Sequence, residues 1–365
     1  MLAHVGLSHP SGPSGEEDLP RRLVEYLDFP DLFLIGAMKC GTTTLHKLLT
    51  DNPHVCGGIE KEKHFFDKMQ YISDYANSKA NYLNEFADCK KSQLTIDSSP
   101  DYISTTAVPE RIFESYPQGA LSRKRFILIL RDPISRHYSE YQMRLRVCES
   151  QFKEEGSSRK KAEDDEVQYR EARYQRNCKQ VTYNFYPGVP QKTLKFMTFF
   201  QYIHSPYGKK EVSRGHFREH ISNWLKRVPR DQIFIVNFAT LVKNTTMVYN
   251  GLMKFIGLQE YKKHVQLPEP QYKGKNHSYD SFSYLDCASY TRLAKYYAKV
   301  NPNLVDFINN GSGQRNPYEP NFIPFDEGHC KSGKDHGDDF MGDDEEVREY
   351  RLLSSFVLVF NHLTP

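Results

Sequence analysis

The stretch Phe33–Leu49, FLIGAMKCGTTTLHKLL, decides the fold. Its apolar head, with Leu32 before it, reads as a buried strand that ends at Gly36. Gly36 and Gly41 then reproduce the G-x-x-x-x-G spacing of a nucleotide phosphate loop. An ATP-type loop places lysine directly after the second glycine, whereas here Thr42 follows Gly41 and Lys39 lies inside the loop. Leu45, Leu48 and Leu49 repeat at helical spacing and stop before Pro53, so the loop opens a helix. Backbone N–H groups at a helix N-terminus, assisted by the helix dipole, bind anions. Lys39 and the hydroxyls of Thr42, Thr43 and Thr44 favour such an anion site over a purely structural turn.

Further along the chain, SQLTID, KRFILILRDP and QIFIVNF read as strands. Helices are expected in ISRHYSEYQMRLR, with Pro133 at its first turn, and in GHFREHISNWLKRVP, MVYNGLMKFIGL and SYTRLAKYYAKV. Alternating strands and helices predict an α/β fold: a P-loop-like, mostly parallel central sheet flanked by helices. Residues 1–30 are rich in Pro, Gly and Ser and then acidic, which predicts a flexible lead. A single domain is expected over 31–325, carrying a highly charged insertion at about 150–190. Residues 326–365 are polar and acidic, a composition expected to be disordered.

Composition excludes several classes. With 38% hydrophobic and 26% charged residues in 365, the chain has the profile of a globular protein with a sizeable core. A net charge of +3 gives no sign of a nucleic-acid partner. Seven cysteines without a C-x-x-C pair suggest neither a disulfide scaffold nor a zinc ribbon, and the odd count leaves at least one unpaired within the chain. The late apolar run LLSSFVLVF is far short of the roughly 20 residues of a membrane span. The N-terminus lacks the basic-then-apolar pattern of a signal peptide, so the expectation is a cytosolic chain or a piece whose anchor is absent. N-x-[ST] sequons occur at Asn244, Asn276 and Asn310.

Two other clusters carry chemistry. In RDPISRHYSEY, Arg131 leaves the C-terminal end of a strand, where open α/β sheets bind ligands. Ser139 lies eight residues on, and an arginine with a hydroxyl suits a second phosphate. Alone, these two residues read more readily as a strand-end arginine and a solvated serine. In EKEKHFFDK, Glu60–Lys68, Glu62 or His64 can serve as a general base beside the anion loop. The plain alternative is a charged loop with two core phenylalanines.

Taken together, these segments resemble the sulfotransferases that use 3′-phosphoadenosine-5′-phosphosulfate (PAPS), in particular the Golgi carbohydrate branch. KCGTTTL resembles that family's 5′-phosphosulfate loop, and EKHFFD an element of the glucosaminyl 3-O-sulfotransferases. VPERIFESYP, FILILRDPISRHYSEY, HISNWLKRVPRDQIFIVNFATL and YKGKNHS follow in the family's order. The resemblance implies that Lys39, Cys40, Gly41, Thr42, Thr43 and Thr44 hold the 5′-phosphosulfate. It implies Arg131 and Ser139 on the 3′-phosphate, and Lys273, Gly274 and Lys275 in a closing loop. Glu62 matches the catalytic base, with His64 and Asp67 as its neighbours and Lys39 assisting the leaving group. One segment departs: the 3-O-sulfotransferases carry E-K-T-P where this chain has Asp97, Ser98, Ser99 and Pro100, so Ser98 stands in the place of an active-site lysine. This acid-Ser-Ser-Pro run is similar instead to the N-acetylgalactosamine 4-sulfate 6-O-sulfotransferases.

The resemblance implies transfer of a sulfonate from PAPS to a carbohydrate hydroxyl, with adenosine 3′,5′-bisphosphate as product and no metal requirement. The implied acceptor is a glycosaminoglycan-like polysaccharide in the Golgi lumen. Rival readings are a cytosolic sulfotransferase for small alcohols, sterols or phenols, and a non-catalytic nucleotide- or glycan-binding relative. A P-loop kinase would need a lysine after Gly41 and a metal-holding acid, and the sequence supplies neither.

Overall fold

The computed structural model describes residues 30–69, 73–116, 120–154, 175–184, 194–258, 262–268 and 285–325. The expected lead apart from Pro30, most of the charged insertion, the acidic tail, the Lys273–Lys275 loop and Asn276 lie outside them.

In chain order the elements are β1 (Leu32–Gly36), α1 (Thr42–Thr50), β2 (Val55–Cys56), α2 (Phe65–Lys68), α3 (Tyr75–Asn84), β3 (Leu94–Asp97) and α4 (Val108–Ser115). There follow β4 (Arg125–Leu130), α5 (Pro133–Glu154), α6 (Phe199–His204), α7 (Pro206–Val212), α8 (Phe217–Trp224), β5 (Ile233–Asn237), α9 (Phe238–Lys243), α10 (Thr245–Phe255), α11 (Cys287–Val300) and α12 (Leu304–Asp306). The strands lie in the order β2-β3-β1-β4-β5, and every pairing is parallel.

A parallel sheet covered by helices has no face for polar residues, which explains the unbroken apolar runs of β1 and β5. It also points all strand C-termini to one edge. Gly36, Asp97, Leu130 and Asn237 end their strands there, so the segments that follow them converge on that edge. This is where doubly wound sheets bind ligands.

Local chemistry sets the starts of the helices above this edge. Pro133 opens α5, and the Asp132 Oδ2 accepts from Ser135 N at 2.7 Å. The Asn237 Oδ1 accepts from Ala239 N at 2.8 Å and turns β5 directly into α9. α5 is longer than the sequence pattern indicated, running to Glu154 and so into the expected insertion.

A second core sits apart from the sheet. Ile134, Tyr141, Leu145, Phe199, Tyr202, Leu293 and Tyr297 pack α5, α6 and α11 together. The disulfide Cys148–Cys178 lies in this core, and Cys56–Cys89 ties β2 to the end of the α3 region. Closing loops of 33 and 30 residues stabilises the fold by roughly 3.5 kcal/mol each in the chain-entropy picture. Cys287 is also disulfide-bonded, whereas Cys40 is free and buried. The cysteines therefore do more structural work than their spacing suggested, and the unpaired thiol is the one in the anion loop. No helix among the described residues is long and apolar enough to cross a membrane.

Candidate active site

The anion loop is built by its backbone. Lys39 has φ 67° and Gly41 φ 94°. A Cβ on Gly41 would stand 2.8 Å from the Phe238 ring, so this position requires glycine for both conformation and space. Ala37 N donates to Ile129 O at 2.9 Å, which pins the loop to the end of β4. α1 begins with Gly41 as its N-cap, has no side-chain cap and has no acidic residue in its first turn. Its first-turn N–H groups are therefore left for an external acceptor.

Lys39 lies in this turn, partly buried. Burial pulls its ammonium down to about 8, Arg146 and Arg131 add to this, and Glu140 and Glu62 oppose it. Thr42 is buried at the turn, while Thr43 and Thr44 are partly exposed. Cys40 faces inward: its side chain is fully buried and its N–H donates to Ala37 O at 3.1 Å. Burial pushes its thiol up to about 11, so it packs as a neutral thiol.

Arg131 leaves β4 beside this loop, its guanidinium 5.3 Å from the centroid of the Phe238 ring. The same ring limits the space at Gly41, so Phe238 is the common wall of loop and arginine. Ser139 lies on α5, partly exposed.

The second half of the site is a strip of charges. Glu62 is 44% exposed at the rim. Its Oε1 is 2.5 Å from Lys61 Nζ, and its Oε2 is 3.6 Å from His64 Nε2. On its other side His64 meets Asp67, Nδ1 to Oδ2 at 2.9 Å. Burial of Glu62 works against its charge, but His64 and Lys61 prevail and hold the carboxyl at about 2. Burial likewise opposes charge on His64, yet Asp67, Glu62 and Asp101 raise it to about 9. The histidine is thus an imidazolium between two carboxylates.

Glu62 and His64, two residues apart, lie side by side. His64 has φ 54° and is the N-cap of α2, so a loop folds the two side chains together. Phe65 and Phe66 after them are buried. They anchor the strip in the sheet core, with Phe66 6.1 Å from Phe33 of β1.

The segment from Asp97 to Pro100 is the floor beneath the strip. Asp97, Ser98 and Ser99 are fully buried. Asp97 accepts from Ser99 Oγ at 2.7 Å, Tyr102 OH at 2.7 Å and Tyr82 OH at 2.9 Å. Burial raises its pKa against these three donors. Ser99 Oγ in turn accepts from His64 N at 3.0 Å, so the floor positions the histidine backbone. Ser98 pairs with His46 of α1, Oγ to Nδ1 at 2.8 Å. Burial, with Lys61 and Lys63 nearby, lowers His46 to about 4, so a neutral pair fills the place of the expected lysine.

Sequence reasoning missed Asp97, His46 and Asp101. The ligand atoms of His64, Asp67 and Asp101 all lie within 4.8 Å of one another, a grouping compatible with a cation. All three are already engaged, His64 and Asp67 by each other and Asp101 by the guanidinium of Arg214. The signal for Asp97 was its place at the end of a strand on the binding edge. No local signal marks the pairing of Asp101 with Arg214.

Residues 29–301 match the family model described as the sulfotransferase domain. Heparan sulfate glucosamine 3-O-sulfotransferase 5 of Mus musculus is 27% identical over 230 residues, covering 63% of this chain and 54% of that protein. Heparan sulfate glucosamine 3-O-sulfotransferase 3A1 of Homo sapiens is 24% identical over 269 residues, covering 70% and 53% respectively. The chain thus spans about half the length of these relatives. Among solved structures, a sulfotransferase from Alicyclobacillus acidocaldarius aligns over 77% of this chain and 96% of its own, at 17% identity and a TM-score of 0.49. The family match covers the loop, the strip and all five strands; the chain belongs to the sulfotransferase domain family, a family of sulfate-transferring enzymes.

Proposed function

We propose that this chain transfers the sulfonate of PAPS to a hydroxyl of a carbohydrate, a glycosaminoglycan-like polysaccharide, and releases adenosine 3′,5′-bisphosphate. The observation that carries this reading is the exposed Glu62 carboxylate, held by Lys61 and backed by His64 and Asp67. The acceptor class is taken from the two heparan sulfate relatives.

In this reading the open N–H groups of α1 and the Thr43 and Thr44 hydroxyls hold the 5′-phosphosulfate. Arg131 and Ser139 hold the 3′-phosphate. The acceptor hydroxyl attacks sulfur in line, an S–O bond forms, and the bridging S–O bond to the 5′-phosphate breaks. The hydroxyl proton passes to Glu62. A carboxylate held at about 2 is a weak base toward a resting alcohol. It is always ionised, however, and the hydroxyl becomes strongly acidic as its oxygen bonds to sulfur. Lys39 offsets the charge that grows on the leaving phosphate. At a pKa of about 8 it is largely charged at neutral pH, and an adjacent phosphate favours the charged form further.

In the relatives' pattern a lysine stands where this chain has Ser98. Here the cation on the base comes from Lys61, next to it in sequence. The disulfides suit an oxidising compartment, and with the lumenal resemblance they support action in the Golgi lumen.

The test is transfer of label from sulfur-labelled PAPS to a panel of heparan, chondroitin and dermatan chains, small alcohols, sterols and phenols, with ATP as a donor control. Labelled polysaccharide supports the proposal. Label only on sterols or phenols overturns the acceptor class, and no transfer to any acceptor overturns the activity.

A further inference from the structure

Arg214 lies beyond the strip and belongs to none of the segments that suggested the reaction. It sits just after α7, its side chain 27% exposed. It forms an ion pair with Asp101, and its Nε stands 2.6 Å from Glu211 Oε2. Glu211 is fixed from behind: its Oε1 is 3.2 Å from Arg144 NH2, and its carbonyl accepts from Arg136 NH2 at 2.9 Å. Arg136 and Arg144 share Glu140 on α5, the helix that carries Ser139. A ladder of buried charges thus runs from the helix of the proposed 3′-phosphate contact to the edge of the acceptor strip, and Arg214 is its last rung.

Asp101 is the group on which this rung acts. Its carboxylate lies within 4.8 Å of ligand atoms of both His64 and Asp67. Without a cation it would be a third carboxylate competing for one imidazolium. His64 already grips Asp67 at 2.9 Å and Glu62 more loosely, at 3.6 Å, so the looser contact would be lost first. The groups facing His64 are Glu62, Asp67 and Asp101. Those facing Arg214 are Asp101, Glu211 and Glu140.

We propose that Arg214 is a positioning residue for the transfer reaction: by clamping Asp101 against Glu211 it keeps that carboxylate off His64, so that His64 stays on Glu62 and aims it at the acceptor. The inference rests on the reading of Glu62 as the base, but its physical core, restraint of Asp101, can be measured without turnover.

The experiment has two readouts on the same variants: the pH profile of kcat with donor and acceptor KM, and the titration of the His64 ring followed by NMR. Arg214→Ala should lower kcat by about 10-fold or more with donor KM within about twofold, since only orientation of the base is lost. The His64 midpoint should rise by about half a pH unit or more, because an unscreened carboxylate now faces it. The acid limb of kcat should also move up as Glu62 loses its cation. Adding Asp101→Asn to Arg214→Ala should return both the His64 midpoint and the acid limb toward their wild-type positions.

An unmoved His64 midpoint in Arg214→Ala, or a double variant no better than the single one, overturns the proposal and leaves Arg214 a structural residue. Should Arg214→Ala fail to fold, Arg214→Lys carries the test because it keeps the cation. There the proposal expects kcat within about threefold of wild type and an unmoved His64 midpoint. A tenfold loss of kcat with that midpoint unmoved overturns it. If Glu62→Gln turns over normally, the base assignment fails, while the His64 titration still reports whether Arg214 restrains Asp101.

Discussion

The two halves of the candidate site are held in different ways. The anion loop depends on backbone: three residues with positive φ, a glycine with an aromatic ring where a Cβ would go, and a helix start with no side-chain cap. The charge strip depends on side chains: Lys61, Glu62, His64, Asp67, Asp101 and Arg214, drawn from three separate segments. A backbone site is rigid, its N–H donors do not titrate, and it is lost when geometry is lost. A charge strip keeps its geometry through isosteric changes but responds to every proton.

The contrast is sharpest at Glu62. Glu62→Gln keeps the size of the side chain but removes its charge and its ability to accept a proton, so turnover should fall by about 10²–10⁴-fold. Donor affinity, measured by calorimetry, should stay within about twofold. Equal losses of donor binding and turnover would mean that the two halves are not separable.

Gly41→Ala is the complementary experiment on the loop. A methyl 2.8 Å from Phe238 at φ 94° forces the loop to move. A displacement of about 1 Å in a positioning loop costs on the order of 10²-fold in turnover. Donor affinity should fall here as well, and unchanged donor affinity would remove the loop from the site.

Arg131→Ala should weaken 3′-phosphorylated nucleotide by about 10- to 150-fold, the worth of a charge-assisted contact. The analogue without the 3′-phosphate should be little affected. Calorimetry with both nucleotides decides it, and equal losses would make Arg131 a partner of Phe238 and nothing more.

Smaller effects come from pH. Lys39 titrates near 8, so donor affinity should decline above that pH, by at most about tenfold per pH unit for one proton. The base itself should impose no limit until pH falls toward 2, so an acid limb nearer pH 6 would implicate a different group. The second core supplies a stability counterpart. His137 is fully buried, neither ring nitrogen has a hydrogen-bond partner among the described residues, and burial drives it down to about 3. Since the fold binds the neutral ring, its contribution is intact above about 6.5 and is lost as pH falls from there toward 3. His137→Leu should flatten the acid side of the stability curve by up to about 1.4 kcal/mol per pH unit, measured by urea unfolding at several pH values.

Much of this was legible in the sequence because it is local. The strand, loop and helix around Gly36 and Gly41 follow from residue spacing, and the start of α5 from an Asp-Pro pair. α3 went unread because one tyrosine, Tyr82, is its only buried side chain. α6 and α7 carried signals that could have been used: a Thr198–Gln201 capping box and a Ser205–Pro206 start. Glu62 and His64 were legible as candidate bases, but not the turn that brings them together, a positive φ at His64.

The sequence by itself determined the parallel sheet, the anion loop at its C-terminal edge and the charged segment that follows it. Those features depend on backbone preferences and apolar spacing within about twenty residues, which a linear pattern records. Only the tertiary structure decided which charges meet. Asp101 and Arg214 are 113 positions apart, His46 finds Ser98 across 52, and the cysteines pair over 33 and 30. An ion pair depends on where the chain's path brings its ends. That path is set by the burial of many apolar side chains at once, so no single segment contains it.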